Sequence, residues 1–238
     1  MCDILLNSKT KHRNHKAFTL AEVLITLSII GVIAAITIPT LISNYQKQTT
    51  VVKLKKVYSI LDEAVKRSEI ENGEITTWES PVVNYDVTES TAWWNTYFIP
   101  YSKLSVIKSC SASKYKECWS ENSKFLDGKV MSTGLFYQVL ADGTAIAYNS
   151  VGKSGGQIYV DLNGMSAPNV VGKDIFYFLI NSNHTKRVGM GASTFTRDEL
   201  LSCTDNACCN KTPGTFKGAY CGQVILLDGW QISKEYPW

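Results

Sequence analysis

The chain has 238 residues, 45% of them apolar, which supports one globular head once an apolar N-terminal segment is set aside and leaves two full domains cramped. Its formal charge of +3 resides in the first 17 residues, where Lys9, Lys11, Arg13 and Lys16 stand against Asp3; taking these from totals of 24 and 21 leaves 20 basic and 20 acidic residues. A neutral remainder offers no broad basic face, so nucleic-acid binding through a polyanion surface is not indicated.

The basic leader, residues 1–17, runs into Phe18-Thr19-Leu20-Ala21-Glu22-Val23-Leu24 and then into an apolar stretch to Ile42 whose only charged side chain is Glu22. An ordinary secretory signal has an apolar region of about 7–15 residues followed by a small-residue cleavage site. Here the small residue suited to cleavage, Ala17, precedes the apolar stretch, so cutting there leaves the hydrophobic segment on the product. At about 25 residues that segment exceeds the roughly 20 needed to cross a bilayer as a helix. The basic leader holds the N-terminal side in the cytoplasm and directs the rest of the chain outward. An acid within such a segment is costly unless paired, which makes Glu22 a functional candidate. Its simpler reading is a side chain at the headgroup boundary.

Lys16, Ala17, Phe18, Thr19, Leu20, Glu22, Val23 and Leu24, with Pro39 further on, resemble the N-terminus of bacterial type IV pilins and type II secretion pseudopilins. This is the class III prepilin signal, in which the family usually has Gly where this chain has Ala17. The resemblance covers residues 16–42. It implies cleavage by a prepilin peptidase between Ala17 and Phe18, N-methylation of Phe18, and a Glu22 that neutralises the terminal amine of an adjacent subunit and sets filament register. The implied partners are other pilins or pseudopilins, the membrane, and an inner-membrane assembly platform with its ATPase. The implied location is the bacterial inner membrane, single-pass with the head outside the cytoplasm, followed by a periplasmic or cell-surface filament. No cofactor is implied.

Phe18 to Ile38 reads as one apolar helix, and Pro39, which lacks a donor N–H, predicts a kink or local melting. Beyond it, Leu54, Val57, Tyr58, Leu61, Ala64, Val65 and Ser68 recur at three- and four-residue steps, the pattern of a surface helix with one buried face. Gly73 is the expected stop, giving a helix of roughly 55 residues. The domain reading is therefore a leader at 1–17, a transmembrane or filament-core helix at 18–42, an amphipathic helix at 43–75 and a disulfide-stapled head at 76–238. From Thr76 to Leu126 periodicity is poor and aromatics are dense, which predicts short helices and loops.

Strand signals follow. Leu135–Ala141 and Thr144–Asn149 flank Asp142-Gly143, a strong hairpin turn; Gln157–Leu162 and Asp174–Ile180 are further strands. Val224–Leu227, Asp228-Gly229 and Trp230-Gln231-Ile232 read as a last hairpin. The predicted fold class is α+β, with the long N-terminal helix packed on a C-terminal antiparallel sheet. Cys2 falls in the leader. The remaining Cys110, Cys118, Cys203, Cys208, Cys209 and Cys221 form an even set suited to disulfides in an oxidising compartment. Cys110 and Cys118 are close enough in sequence for a local bridge; the partners of Cys208 and Cys209 stay open. The irregular spacing of the last four disfavours zinc.

Asp161-Leu162-Asn163-Gly164 has the start of a calcium loop, yet the twelfth position is Gly172 where an EF-hand needs Glu, so an EF-hand is excluded. Asp161, Asn163 and Asp174 are calcium candidates in a less regular loop, against the simpler reading of a Gly/Asn turn between strands. His12 and His15 lie in the leader, leaving His184 without a sequence-placed nucleophile, and no phosphate loop or paired-carboxylate motif stands out; the chain does not read as an enzyme. The reading is a structural subunit of a type IV pilus or type II secretion pseudopilus. Its rival is a minor tip pilin, acting as an adhesin or substrate-binding module, whose Trp93-Trp94 to Trp119 region would expose aromatics.

Overall fold

The computed structural model describes residues 18–79, 86–131, 136–150, 156–180, 187–191, 194–204 and 207–238. The leader with Ala17, and the His184 segment, lie outside them. Helix α1 spans Leu20–Asn72, and two compact units divide within it, Met1–Tyr45 and Gln46–Trp238.

In the first unit the helix is apolar all round and its side chains are exposed; among those of Leu20 to Ile42, none is buried. Three of its hydroxyls need no outside partner. Thr26, Ser28 and Thr37 donate to the carbonyls of Val23, Leu24 and Ile33 at 2.9, 2.8 and 2.9 Å, so these polar groups are satisfied inside the helix. The helix is continuous through Pro39, so the local melting expected there does not occur. The ring removes only the hydrogen bond that would have reached the Ala35 carbonyl.

In the second unit the same helix becomes amphipathic, burying Leu54, Leu61, Ala64, Val65 and Ser68. It ends at Asn72, where Gly73 adopts φ 78°, the left-handed stop that a side chain would strain. Helix α2 (Val87–Tyr97) is capped by Asp86, whose carboxylate accepts from the Glu89 N–H at 2.8 Å, and it turns Trp93 and Trp94 inward. The short helix α3 (Ile99–Ser102) follows.

Among the described residues, six strands form one antiparallel meander in chain order: β1 (Val106–Ser111), β2 (Phe136–Leu140), β3 (Ala145–Ser150), β4 (Gly156–Asp161), β5 (Ile175–Ile180) and β6 (Val188–Gly189). The hairpin at Asp142-Gly143 forms as expected, pairing Val139 with Ala145 and placing Gly143 at φ 84°. The stretch expected to hold only helices and loops also supplies the edge strand β1. A register shift between Val106 and Lys108 breaks its alternation, which is why its period of two is not visible in the sequence.

Both faces of the sheet are covered. Ile146, Tyr148, Ile158, Val160, Phe176 and Phe178 pack with α1 and α2, while Tyr137, Ala145, Ala147, Tyr159 and Tyr177 pack with Cys118, Trp119, Val171 and Ala219. Strand β3 is consequently buried at all six positions instead of alternating.

The expected last hairpin is a helix. Val224–Leu227 belongs to α5 (Cys221–Leu227), which buries Cys221, Val224 and Ile225 at helical spacing. Asp228-Gly229 stops this helix: the Gly229 N–H bonds the Leu226 carbonyl at 3.1 Å and the Trp230 N–H bonds the Ile225 carbonyl at 2.8 Å, the two bonds of a Schellman motif. Upstream, α4 (Arg197–Ser202) begins with a capping box between Thr196 and Glu199. The disulfides are Cys110–Cys118, Cys203–Cys208 and Cys209–Cys221. The neighbours Cys208 and Cys209 thus take different partners, and Cys209–Cys221 ties the start of α5 to the segment after α4.

Candidate functional sites

The first site is the start of α1. Thr19 is followed three residues later by Glu22, and the two close a capping box: the Glu22 N–H donates to Thr19 Oγ1 at 3.2 Å, while the Thr19 N–H and hydroxyl each donate to Glu22 Oε2 at 2.8 Å. A carboxylate at a helix N-terminus also complements the free N–H groups there. Glu22 thus has a local role that the sequence reading did not assign, although the Thr-x-x-Glu spacing carries the signal. Every contact falls on Oε2, so the other oxygen keeps its acceptor capacity. Phe18, one residue before the cap, is 85% exposed.

From this point the helix is long and apolar enough to cross a membrane, with a mean hydropathy of 2.3 over its most apolar 18 residues. Lateral apolar surface of this extent, with the Thr26, Ser28 and Thr37 hydroxyls internally bonded, suits lipid or other helices and not water.

The second site is the connection from β4 to β5. The meander brings Asp161, the last residue of β4, beside Asp174, which precedes β5; the Leu162 N–H donates to the Asp174 carbonyl at 2.9 Å. Both side chains are buried. Asp161 Oδ1 accepts from the Asn163 N–H at 3.1 Å, and Asp174 accepts from the N–H groups of Asn169 and Val170 at 2.8 and 2.7 Å. Burial, with Asp174 nearby, pushes the Asp161 carboxyl up to about 8 against the pull of these N–H groups, and burial also raises Asp174. Lys53, the cation that acts on Asp161, donates its ammonium to the Leu162 carbonyl at 2.9 Å.

Asn163 donates its side-chain amide to the Ala167 carbonyl at 3.1 Å, and its own amide oxygen is buried without a partner. Asn169, only 6% exposed, faces Asp161 across the loop. The three sequence candidates are therefore neighbours, and the loop adds Asn169 and the carbonyls of Gly164 and Ser166. Backbone carbonyls have no sequence signature, so they could be found only in the fold. Among the described residues, no group of three or more His, Cys, Asp or Glu side chains is placed to hold a metal ion.

Other candidates turn out to be structural. Trp78, Trp93, Trp94 and Trp119 are buried; Trp93 stacks on Tyr148, and Trp94 Nε1 donates to Gln138 Oε1 at 3.0 Å. These four tryptophans are core residues, while Tyr97, Tyr101 and Tyr115 are half-buried. Cys203, Cys208, Cys209 and Cys221 are consumed in disulfides and hold no thiolate for zinc. A cleft of about 250 Å³ between α1 and the β2–β3 turn has an apolar floor that includes Leu61, Leu104, Ile146 and Val160, and its Lys56 and Asp142 pair with each other at 2.9 Å.

A family described as a family of unknown function, DUF6613, matches residues 40–238, and a prokaryotic N-terminal methylation motif matches residues 12–38. No curated protein and no solved structure matches the chain.

Proposed function

Since the chain belongs to DUF6613 and begins with the methylation motif that is the class III prepilin signal of type IV pilins and pseudopilins, we propose that it is a pilin-like filament subunit. The motif implies processing by prepilin peptidase and assembly with other pilins. In this reading residues 1–17 are removed between Ala17 and Phe18, the new amine is methylated, and residues 18–42 hold the protein in the bacterial inner membrane until assembly. Residues 43–75 then carry the head, 76–238. The assembly platform and its ATPase extract the subunit into a filament at the periplasm or cell surface.

One observation carries the proposal: an apolar helix, exposed on every side, whose single ionisable side chain is Glu22. Such a surface is stable only against lipid or against other helices of the same kind. Thr19 holds Glu22 Oε2 at the helix start, and Oε1 is left to accept from the methylated amine of a neighbouring subunit. The buried aromatic region gives the tip-adhesin reading no comparable support.

Mass spectrometry of the N-terminus, on protein from its native host separated into membrane and sheared-filament fractions, tests this. The expected species begins with N-methylated Phe18 in both fractions. A mature protein that retains Lys16, or one never found outside the membrane fraction, overturns it.

A further inference from the structure

We propose that the face of the head formed by Lys47, Lys55, Trp230 and Trp238 is a seat for the headgroups of an anionic phospholipid bilayer, with Lys47 and Trp238 as its anchors. The inference rests on the membrane-held state of the filament reading. Between Val23 and Leu61 the only charged residues are Lys47, Lys53, Lys55 and Lys56, and the first acid after Glu22 is Asp62. Lys47 comes five residues after Ile42, where the apolar stretch ends, on the flank that this reading puts outside the cytoplasm. Membrane proteins concentrate Lys and Arg on the cytoplasmic flank, so four lysines on the other side call for a separate use. Two are used within the head: Lys53 donates to the Leu162 carbonyl and Lys56 pairs with Asp142. Lys47 and Lys55 meet aromatic rings instead, each ammonium 5.9 Å from a ring centroid, that of Trp238 for Lys47 and that of Trp230 for Lys55.

These two rings differ from the other tryptophans. Trp78, Trp93, Trp94 and Trp119 are sealed in the core, whereas Trp230 and Trp238 are half-buried. The segment that carries them is fastened in place. The Arg197 guanidinium donates to Ser233 Oγ at 3.0 Å and to Glu235 Oε2 at 2.9 Å, and the buried Tyr236 hydroxyl donates to the Gly172 carbonyl. Tyr58 of α1 meets Trp230 edge-on, with centroids 5.6 Å apart. Residues 230–238 therefore run back along α1 from Lys55 to Lys47, about 12 Å at 1.5 Å per residue. At a bilayer surface such a pair has a place for each of its parts. The indole settles at headgroup level with its ring toward the acyl chains and its N–H toward water. The lysine lays its stem along apolar surface while its ammonium reaches a lipid phosphate. Anionic lipid adds attraction for lysines that no acid nearby in the sequence offsets.

The test uses the 238-residue chain reconstituted in vesicles of phosphatidylglycerol and phosphatidylcholine, or of phosphatidylcholine alone, carrying lipids brominated either near the headgroup or deep in the acyl chain. Residues 18–42 contain no tryptophan, so bromine quenching reads only indoles of the head that reach the bilayer. In anionic vesicles shallow bromine should quench about one sixth of the emission, one indole of six, and deep bromine at least about threefold less. Trp238→Phe should remove that quenched share. Lys47→Glu, which leaves every indole in place, should cut it by at least about half, as should omission of the anionic lipid; this variant decides the matter if Trp238→Phe does not fold. No quenching in the wild type, quenching retained in Trp238→Phe, or quenching indifferent to Lys47→Glu and to lipid charge overturns the proposal. An emission change that follows the protein-to-lipid ratio and not the bromine also overturns it, and makes this face a contact between copies of the chain. Flotation with the vesicles is measured on the same samples. A chain that does not float refutes the membrane-held state and the seat with it, whereas one that floats without being quenched refutes the headgroup seat alone.

Discussion

Residues 20–45 and residues 46–72 belong to the same helix, yet their side chains meet opposite fates. In the earlier half, Leu24, Ile30, Ile36 and Leu41 are exposed; in the later half, Leu54, Leu61, Ala64 and Val65 are sealed in a core. Propensity does not distinguish them, because both are continuous α-helix. The pattern does. An apolar set confined to three- and four-residue steps finds its partner within its own chain, whereas an apolar surface on all sides has more area than one domain face can cover. In the proposed reading the first half carries association with something outside the chain and the second carries stability of the head, so a substitution in one should be silent in the readout of the other.

The largest expected effect is on association. Glu22→Ala removes the only ionisable group of the apolar segment and, if Glu22 meets a neighbour's amine, leaves that amine unpaired in an apolar filament core. Sheared-filament yield should fall about a hundredfold, while the membrane-bound pool, leader removal and head Tm stay at wild-type levels. A loss of only about fivefold, the cost of the cap alone, would reduce Glu22 to its cap; a lower head Tm would break the separation of the two halves.

The converse substitution acts on the head. Leu61 is 1% exposed between α1 and the sheet, and Leu61→Ala should cost about 2–5 kcal/mol. For a chain of this size each kcal/mol corresponds to roughly 2–4 °C in Tm. Leu41→Ala, an equal deletion at a side chain 70% exposed, should leave the head's stability within about 0.5 kcal/mol of wild type. Similar losses at both positions would show that residue 41 has a partner inside the chain.

These contrasts rest on features of unequal legibility. The amphipathic steps from Leu54 to Ser68, the Asp142-Gly143 hairpin and strands β4 and β5 could be read directly, because each has a local signature in period or turn chemistry. The Asp228-Gly229 pair misled, because a glycine at positive φ serves a hairpin and a helix stop alike, and a run as short as Val224–Leu227 has no decisive period. What decides it is tertiary: Cys221 is tied to Cys209, and its burial together with Val224 and Ile225 selects the helical face. Strand β1 was hidden by its register shift. In the β4–β5 connection the acids were legible and Asn169 was not, since only a chain reversal brings it back onto Asp161.

The α5 stop can be tested more finely. Gly229 lies at φ 70° with nothing within 4 Å of where a Cβ would stand, so Gly229→Ala meets no clash and its cost is conformational, about 1–2 kcal/mol. Gly229→Asn should recover part of this, because Asn tolerates the left-handed region. Denaturant midpoints for the pair check the ordering, and an alanine no worse than asparagine would mean that the Schellman stop does not persist in solution.

The smallest effect separates the two roles of Glu22. Thr19→Ala removes the hydroxyl that accepts the Glu22 N–H and donates to its carboxylate, but retains the Thr19 position's backbone N–H as a partner for Oε2. Loss of an N-cap of this kind costs about 1 kcal/mol, which frays the first turn and loosens the Glu22 rotamer. Filament yield should therefore drop by only about fivefold, far less than in Glu22→Ala, and Thr19→Ser should restore it because Ser caps as well as Thr. If Glu22 acts only as the other half of the capping box, removing either partner breaks the same structure and the two alanine variants should assemble equally well. If it also receives a neighbour's amine, the deficit of Glu22→Ala persists over that of Thr19→Ala at every salt concentration at which filaments form. The difference between the two yields isolates the intersubunit contribution, because the capping loss is common to both variants.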